Sequence, residues 1–319
     1  MQGQRILITR AIFPETIARL SEHFEVDVNA SEVPLPRPEL IARIRGKQGV
    51  LTVGGDRIDA EVLDACPELR ICANFGVGYD NLDIEALTRR RVLATNAPNV
   101  LTETTADFAF AMLMATARRV TEGERFLRAG LWKQGRYDLF AGAEIHGATL
   151  GIIGMGRIGQ AVARRGALGF GMNVLYHNPG RIAPGVEDKL GALFVTKDDL
   201  LRRADHVVLT LPYSPASRHT IGARELGLMK ASATLVNVAR GGIVDDAALA
   251  CALKEGRIAA AGLDVFEGEP RVHPDLLELP NMVLTPHIAS STNQTRRAMA
   301  ELAADNLIGY LLAEMHGLP

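Results

Sequence analysis

Short apolar runs alternate with longer stretches whose apolar residues recur every three or four positions. In the first third, RILIT, GVLTV, LRICANF and VLATN are predicted strands, with PETIARLSEHF, PELIARIRG and DAEVLDACP as helices between them. Strand and helix in strict alternation predict a parallel sheet covered by helices on both faces. At Leu101 the pattern changes. LTETTADFAFAMLMATARRVTEGERFLRAGLW reads as one long, mostly helical segment, with Thr102 and Thr105 offering capping oxygens and Gly130 a stop. Its middle, Phe108 to Ala117, is apolar nearly all round, the mark of a buried helix at a domain or subunit boundary or in the core. A second series follows: TLGIIGMG, NVLYHNP, LFVT, HVVLTLP, TLVNVARG, AAAGLDVF and MVLTPH. From Ser291 onward the chain is helical again, the apolar stripe lying in AELAADNLIGYLLAEM.

The 319 residues allow two domains at roughly 100–200 residues each. The formal net charge is −2, and no basic stripe or acidic tail points to nucleic acid or an anionic membrane surface. No apolar run approaches the ~20 residues that cross a bilayer, and MQGQRILITR reads as a first strand, not a signal peptide. A cytoplasmic protein is expected. Cys66, Cys72 and Cys251 lack metal-ligand spacing and are expected to be small core residues, with no metal site.

Within the second series, Gly154, Gly156 and Gly159 form G-x-G-x-x-G between a strand and a helix, QAVARRGALGF. The spacing alone is weak, but strand, turn, helix and next strand in order predict dinucleotide binding. The first glycine permits a tight turn, the second lets a pyrophosphate approach the backbone, and the third lets helix and strand pack closely. The following helix N-terminus supplies free N–H groups. An acidic residue about 20 positions on usually holds the ribose 2′-hydroxyl. Here the stretch is Tyr176 to Arg181, with Asn178 at that position and no carboxylate. Arg181 suits a 2′-phosphate as a charge-assisted partner, which favours NADPH, with NADH as the alternative. A solvated loop arginine is the competing reading.

Three residues at predicted strand ends suit hydride transfer to a small 2-oxo acid: Arg240 in NVARGGIVD, Glu269 in DVFEGEP and His287 in LTPHIASST. Arg240 can hold a carboxylate at two points and stay charged. His287 suits a proton donor near neutral pH, and Glu269 suits the partner that fixes its tautomer. Ligands of open α/β sheets bind at the carboxyl ends of strands, so all three are expected to face one cleft. Taken singly, each has an ordinary structural role: a surface salt bridge, a turn before Pro270, a capping or core histidine.

On these residues the chain resembles the D-isomer-specific 2-hydroxyacid dehydrogenases over essentially its whole length. The resemblance is carried by NFGVGYDNLD (Asn74–Asp83), LTETTADFAFAMLM, LGIIGMGRIGQAVA, LPYSPASRHTIG, LVNVARGGIVDDAAL, AAGLDVFEGEP and LTPHIASST. Within that family it looks most like the glyoxylate/hydroxypyruvate reductases that also act on 2-ketogluconate. The resemblance implies that Arg240, Glu269 and His287 are the catalytic set, and that the substrate carboxylate meets the backbone at Gly54 and Gly55 and at Gly76 and Val77. It implies cofactor contacts from Arg157, Ile158, Leu211, Pro212, Val238 and Ala239, with Asp264 at the nicotinamide carboxamide.

The implied fold is α/β, two Rossmann-like lobes with a cleft between them. Residues 1–100 and 288–319 form a discontinuous, flavodoxin-like substrate domain, and residues 101–287 the dinucleotide-binding domain. A homodimer through the cofactor domain is also implied, with the Phe108–Ala117 helix and Leu131-Trp132 as interface material. Two other readings fit parts of the sequence: 3-phosphoglycerate oxidation, and a dinucleotide-sensing corepressor or scaffold.

Overall fold

In the computed structural model, which describes residues 3–315, the chain divides into two units, Met1–Leu101 with Ser291–Pro319 and Thr102–Ser290. Residues 1–2 and 316–319, at the outer ends of the expected substrate domain, lie outside the described residues.

Unit 1 runs β1 (Arg5–Ile8), α1 (Pro14–Ser21), β2 (Glu25–Val28), α2 (Arg37–Ile44), β3 (Gly49–Thr52), α3 (Ala60–Ala65), β4 (Ile71–Asn74), α4 (Ile84–Arg89) and β5 (Leu93–Thr95). Among the described residues its five strands are all parallel, in the order β2-β1-β3-β4-β5. That is the flavodoxin-like order, with its reversal between β1 and β3. The central strands β3 and β4 are wholly buried, as their continuous apolar runs require. Two elements escape the sequence pattern. Edge strand β2 reads EVDV, with charges that suit an exposed edge better than a core strand. Helix α4 has six residues, too few to set up a periodicity.

Unit 2 runs α5 (Thr102–Ala117), α6 (Val120–Arg128), β6 (Thr149–Ile153), α7 (Arg157–Arg164), β7 (Asn173–His177), α8 (Pro184–Leu190), β8 (Ala192–Phe194), α9 (Lys197–Arg203), β9 (His206–Leu209), α10 (Ala223–Leu226), β10 (Thr234–Asn237), α11 (Asp246–Lys254), β11 (Ala260–Leu263), α12 (Pro274–Glu278) and β12 (Met282–Leu284). The seven strands are parallel, in the order β12-β11-β10-β9-β6-β7-β8. The order reverses between β6 and β9, which makes that gap the expected ligand crevice of this sheet. One apolar cluster, with α9 to α12, covers one face; a second, with α5 and α7, covers the other. After α7, Arg165–Gly169 continues as a π-turn, so the helix expected through Phe170 changes its winding halfway.

The long helix expected after Leu101 is two helices. Arg119 takes a left-handed backbone (φ 54°) and ends the first. Thr105 is buried in the first turn of α5 and does not cap it, while α6 stops at Arg128, two residues before Gly130 (φ 67°). Helix α5 buries Ala109, Phe110, Met112, Leu113 and Ala117 against β10, β11 and β12 of its own unit. A wholly buried leucine such as Leu113 contributes about 1.5–3 kcal/mol. Large apolar side chains are instead exposed on α6 and the arm after it: Val120, Leu127, Leu131, Trp132 and Tyr137.

Helix α13 (Asn293–Met315) belongs to unit 1 and packs on β3, β4 and α1. Its Glu301 accepts from Thr16 and Arg19, while Leu307 and Leu311 sit against Gly49. Cys66 and Cys72 are buried as expected, but Cys251 is exposed on α11, its thiol 3.4 Å from Glu255. The four-residue spacing to Glu255 places both on the helix's outer face. Among the described residues no helix is long and apolar enough to cross a membrane, and no His/Cys/Asp/Glu group could hold a metal.

Candidate active site

The glycine turn closes the carboxyl end of β6. Gly154 has φ +102°, and a Cβ there would strike the Leu211 backbone, so only glycine makes this bend. A Cβ at Gly159 would collide with the Gly154 carbonyl and force α7 off the strand. Gly156 differs: a Cβ there would meet nothing within 4 Å. It is exposed, and no side chain caps the helix start. The first amides of α7 therefore lack intrahelical acceptors at the positive end of the helix dipole. Open space over a bare backbone, beside free N–H groups, is what a pyrophosphate needs, so these residues fit a dinucleotide.

The turn is tied to its neighbours. Gly154 N donates to the His177 carbonyl (3.0 Å), and Met155 N to Asn178 Oδ1 (2.7 Å). Exposed Arg157 and half-buried Ile158 open α7, and Leu211 and Pro212 follow β9 across the same switch point. Arg181 is exposed but not simply solvated, since its Nε and Nη2 bind the Glu187 carboxylate at 2.6–2.9 Å.

Arg240, Glu269 and His287 follow three adjacent strands, β10, β11 and β12. His287 Nδ1 lies 2.8 Å from Glu269 Oε2, and the other carboxylate oxygen accepts from Phe266 N at 2.9 Å. Nε2 makes no hydrogen bond among the described residues, and the ring is partly exposed. Burial pushes the Glu269 carboxyl up. The hydrogen bond and charge of His287, the Phe266 N–H and the Arg240 charge outweigh it and hold the group below the ordinary carboxylate value. Arg240 is half-buried, with Nη1 on the Ala239 carbonyl at 2.8 Å. Asn237 fixes that loop: its Oδ1 accepts from Ala239 N and its Nδ2 donates to the Arg240 carbonyl, both at 3.0 Å. Val238 and Ala239 are buried at the end of β10. A Cβ at Gly241 would run into the Phe266 carbonyl, so the Arg240 loop and the Glu269 turn touch through bare backbone.

Asp264 is wholly buried, and its carboxylate faces the loop that carries His287. Oδ1 accepts from Thr285 Oγ1 (2.7 Å) and Ile288 N (2.8 Å), and Oδ2 accepts from Ala289 N (2.8 Å). The Asp264 carbonyl accepts from His287 N (2.8 Å). His287 itself has φ 54°, a conformation that costs a β-carbon residue of order 1–3 kcal/mol. Each buried donor left without an acceptor costs about 1–3 kcal/mol, so the Asp264 carboxylate is what makes the strained loop the stable one. Burial pushes the Asp264 carboxyl up, against the pull of these hydrogen bonds and of His287. Sequence reasoning missed this clamp, whose one visible sign is an acid directly after a strand.

In unit 1, Gly54 and Gly55 follow β3, and Gly76 and Val77 follow β4. Their N–H groups donate to nothing among the described residues. Asp56, beneath the first turn, accepts from Val53 N, Thr9 and Arg10. Asn74 and Asn96 hold the second: Asn74 Nδ2 donates to the Gly76 and Gly78 carbonyls (3.2 and 2.7 Å), and Asn96 to that of Val77 (2.7 Å). Neither asparagine stood out as a functional residue in the sequence; each closes a strand whose next residues turn away from the sheet.

A doubly wound sheet with a phosphate-binding turn at its switch point, and an imidazole–carboxylate pair beside an arginine, defines a dinucleotide-dependent oxidoreductase. The comparisons narrow the class. Residues 110–289 match the model of the D-isomer specific 2-hydroxyacid dehydrogenase, NAD binding domain. A glyoxylate reductase of Thermococcus kodakarensis is 50% identical over 315 residues, 98% of this chain and 94% of that one. A crystal structure from Thermus thermophilus superposes with a TM-score of 0.88 at 42% identity, covering 99% of this chain and 98% of that one. An NADPH-dependent glyoxylate/hydroxypyruvate reductase from Sinorhizobium meliloti, in complex with NADP and malonate, gives 0.85 at 36% identity, with 97% and 93% covered. The chain belongs to the D-isomer-specific 2-hydroxyacid dehydrogenase family. It is an oxidoreductase of CH–OH groups that uses a nicotinamide dinucleotide.

Proposed function

We propose that the enzyme reduces glyoxylate and hydroxypyruvate, and with them 2-ketogluconate, to the D-2-hydroxy acids, with NADPH preferred over NADH. The carrying observation is the 2.8 Å His287–Glu269 pair, with Nε2 unbonded and Arg240 two strand ends away. The cofactor supplies the hydride. Arg240 takes the substrate carboxylate with two parallel N–H bonds and polarises the carbonyl. Glu269 accepts from Nδ1–H of His287, which fixes the ring and favours the imidazolium. Nε2–H then delivers the proton to the carbonyl oxygen as it gains charge. Asp264 acts through the loop it clamps, by keeping His287 aimed. The N–H groups of Gly54, Gly55, Gly76 and Val77, unbonded among the described residues, suit an anionic group such as a carboxylate.

The test is cofactor oxidation with glyoxylate, hydroxypyruvate, 2-ketogluconate and pyruvate, each with NADPH and NADH. Glyoxylate with NADPH is expected to give the highest kcat/KM; no oxidation with any of the four would remove the reading. 3-Phosphoglycerate oxidation and a corepressor or scaffold role find no support in the relatives, which are named for glyoxylate reduction. A homodimer through unit 2 completes the proposal, with Val120, Leu127, Leu131, Trp132 and Tyr137 as the apolar contact. Sedimentation velocity is expected to give twice the chain mass, and a monomer at micromolar concentration would count against it.

A further inference from the structure

Behind Arg181 lies a network that the reaction does not use. Glu187, in the first turn of α8, is only 4% exposed. Its carboxylate accepts from the hydroxyl of Tyr176, a fully buried residue whose oxygen in turn accepts from Ile182 N at 3.0 Å. On its outer side the same carboxylate holds Arg181, with Nε at 2.8 and 2.9 Å from its two oxygens and Nη2 at 2.6 Å. The arginine is thus 62% exposed yet gripped along one full edge. Its Nη1 makes no hydrogen bond among the described residues.

Two residues earlier in the same loop, Pro179 follows Asn178, which is bonded to the glycine turn. A buried carboxylate must be satisfied, and this one is satisfied from both sides, so it does not swing. An arginine fixed by one edge keeps the other edge of a planar fork for a second anion, and it has already lost the rotamer freedom that a free side chain would lose on binding. With Glu187 ionised the pair is close to neutral, so Arg181 offers directed donors more than net charge.

We infer that Glu187 determines cofactor specificity as a positioning residue: it holds Arg181 in place to receive the 2′-phosphate of NADPH. The inference rests on the reading of Arg181 as the 2′-phosphate partner, and the experiment separates the two. Dissociation constants of NADPH and NADH are measured by titration calorimetry for the full chain and for Arg181→Ala, Glu187→Gln and the double variant. Arg181→Ala is expected to weaken NADPH roughly 10–100-fold and to leave NADH within about twofold. Glu187→Gln is expected to weaken NADPH roughly 5–30-fold with NADH again unmoved, and to add little once Arg181 is gone, because the two act as one unit.

If Arg181→Ala spares NADPH, the reading of Arg181 and this inference both fall. If it weakens NADPH while Glu187→Gln does not, only the inference falls. Equal losses for both cofactors in Glu187→Gln would make Glu187 a purely structural residue, and tighter NADPH would make it a repelling one; either overturns the inference. Should Glu187→Gln not fold, Tyr176→Phe removes one anchor of the same carboxylate and keeps the ring. It is expected to give the same NADPH-selective loss at smaller amplitude, and a loss of zero, or one shared by NADH, overturns the inference.

Discussion

His287→Ala is expected to lower turnover about 10²–10⁴-fold with cofactor binding intact, because it removes the group that protonates the carbonyl oxygen and nothing in the phosphate-binding turn. Steady-state kcat with glyoxylate, beside cofactor titration of the same variant, reads both halves of that statement; unchanged turnover would take His287 out of the role. The acid limb of the wild-type profile has a definite sign. Glu269 is held below the ordinary carboxylate value because its bond to His287 and the surrounding charges outweigh its burial. Its negative charge, and with it the His287 pairing, is present above the ordinary carboxylate range and is lost as pH falls through the lowered value. Activity is therefore expected to persist on the acid side to below the range where an unpaired carboxylate would protonate.

Arg240→Ala is expected to reduce kcat/KM roughly 10²–10³-fold, mostly through a higher KM. Two charge-assisted hydrogen bonds to a carboxylate are worth about 3–4 kcal/mol in this setting. Arg240→Lys is expected to recover only part of the loss, since an ammonium keeps the charge but not the planar fork. The Asn237 and Gly241 contacts argue for arginine at a fixed height: the loop's backbone is bonded at Ala239 and Arg240 and pressed against Phe266. An unaltered KM in Arg240→Ala would place the carboxylate elsewhere.

Much of this architecture is written in local patterns. The interior strands of unit 2 are short, mostly apolar runs, visible because a parallel sheet buries both faces, whereas the edge strand β8 leaves Leu193 exposed. The glycine turn was legible for the same kind of reason: three glycines at fixed spacing answer three separate steric demands. What stayed hidden depends on distance in the chain. Asp264 bonds to residues 21 to 25 positions on, and no periodicity links an acid after β11 to a loop after β12. Arg181 was visible, but its grip was not, because no spacing pattern ties Tyr176 in its strand, Arg181 in the loop and Glu187 six residues further on. The break at Arg119 went unseen as well, since nothing in ARRVTEG forbids a continuous helix.

The return of α13 to the first sheet bears on synthesis. Residues up to Leu101 leave the ribosome almost 200 positions before Asn293, a delay of roughly 10–40 s at about 5–20 residues per second. During that interval the β3–β4 face that receives α13 still lacks its cover. The first unit therefore waits, with part of an apolar sheet face open, for a helix that is made only after the last strand of unit 2.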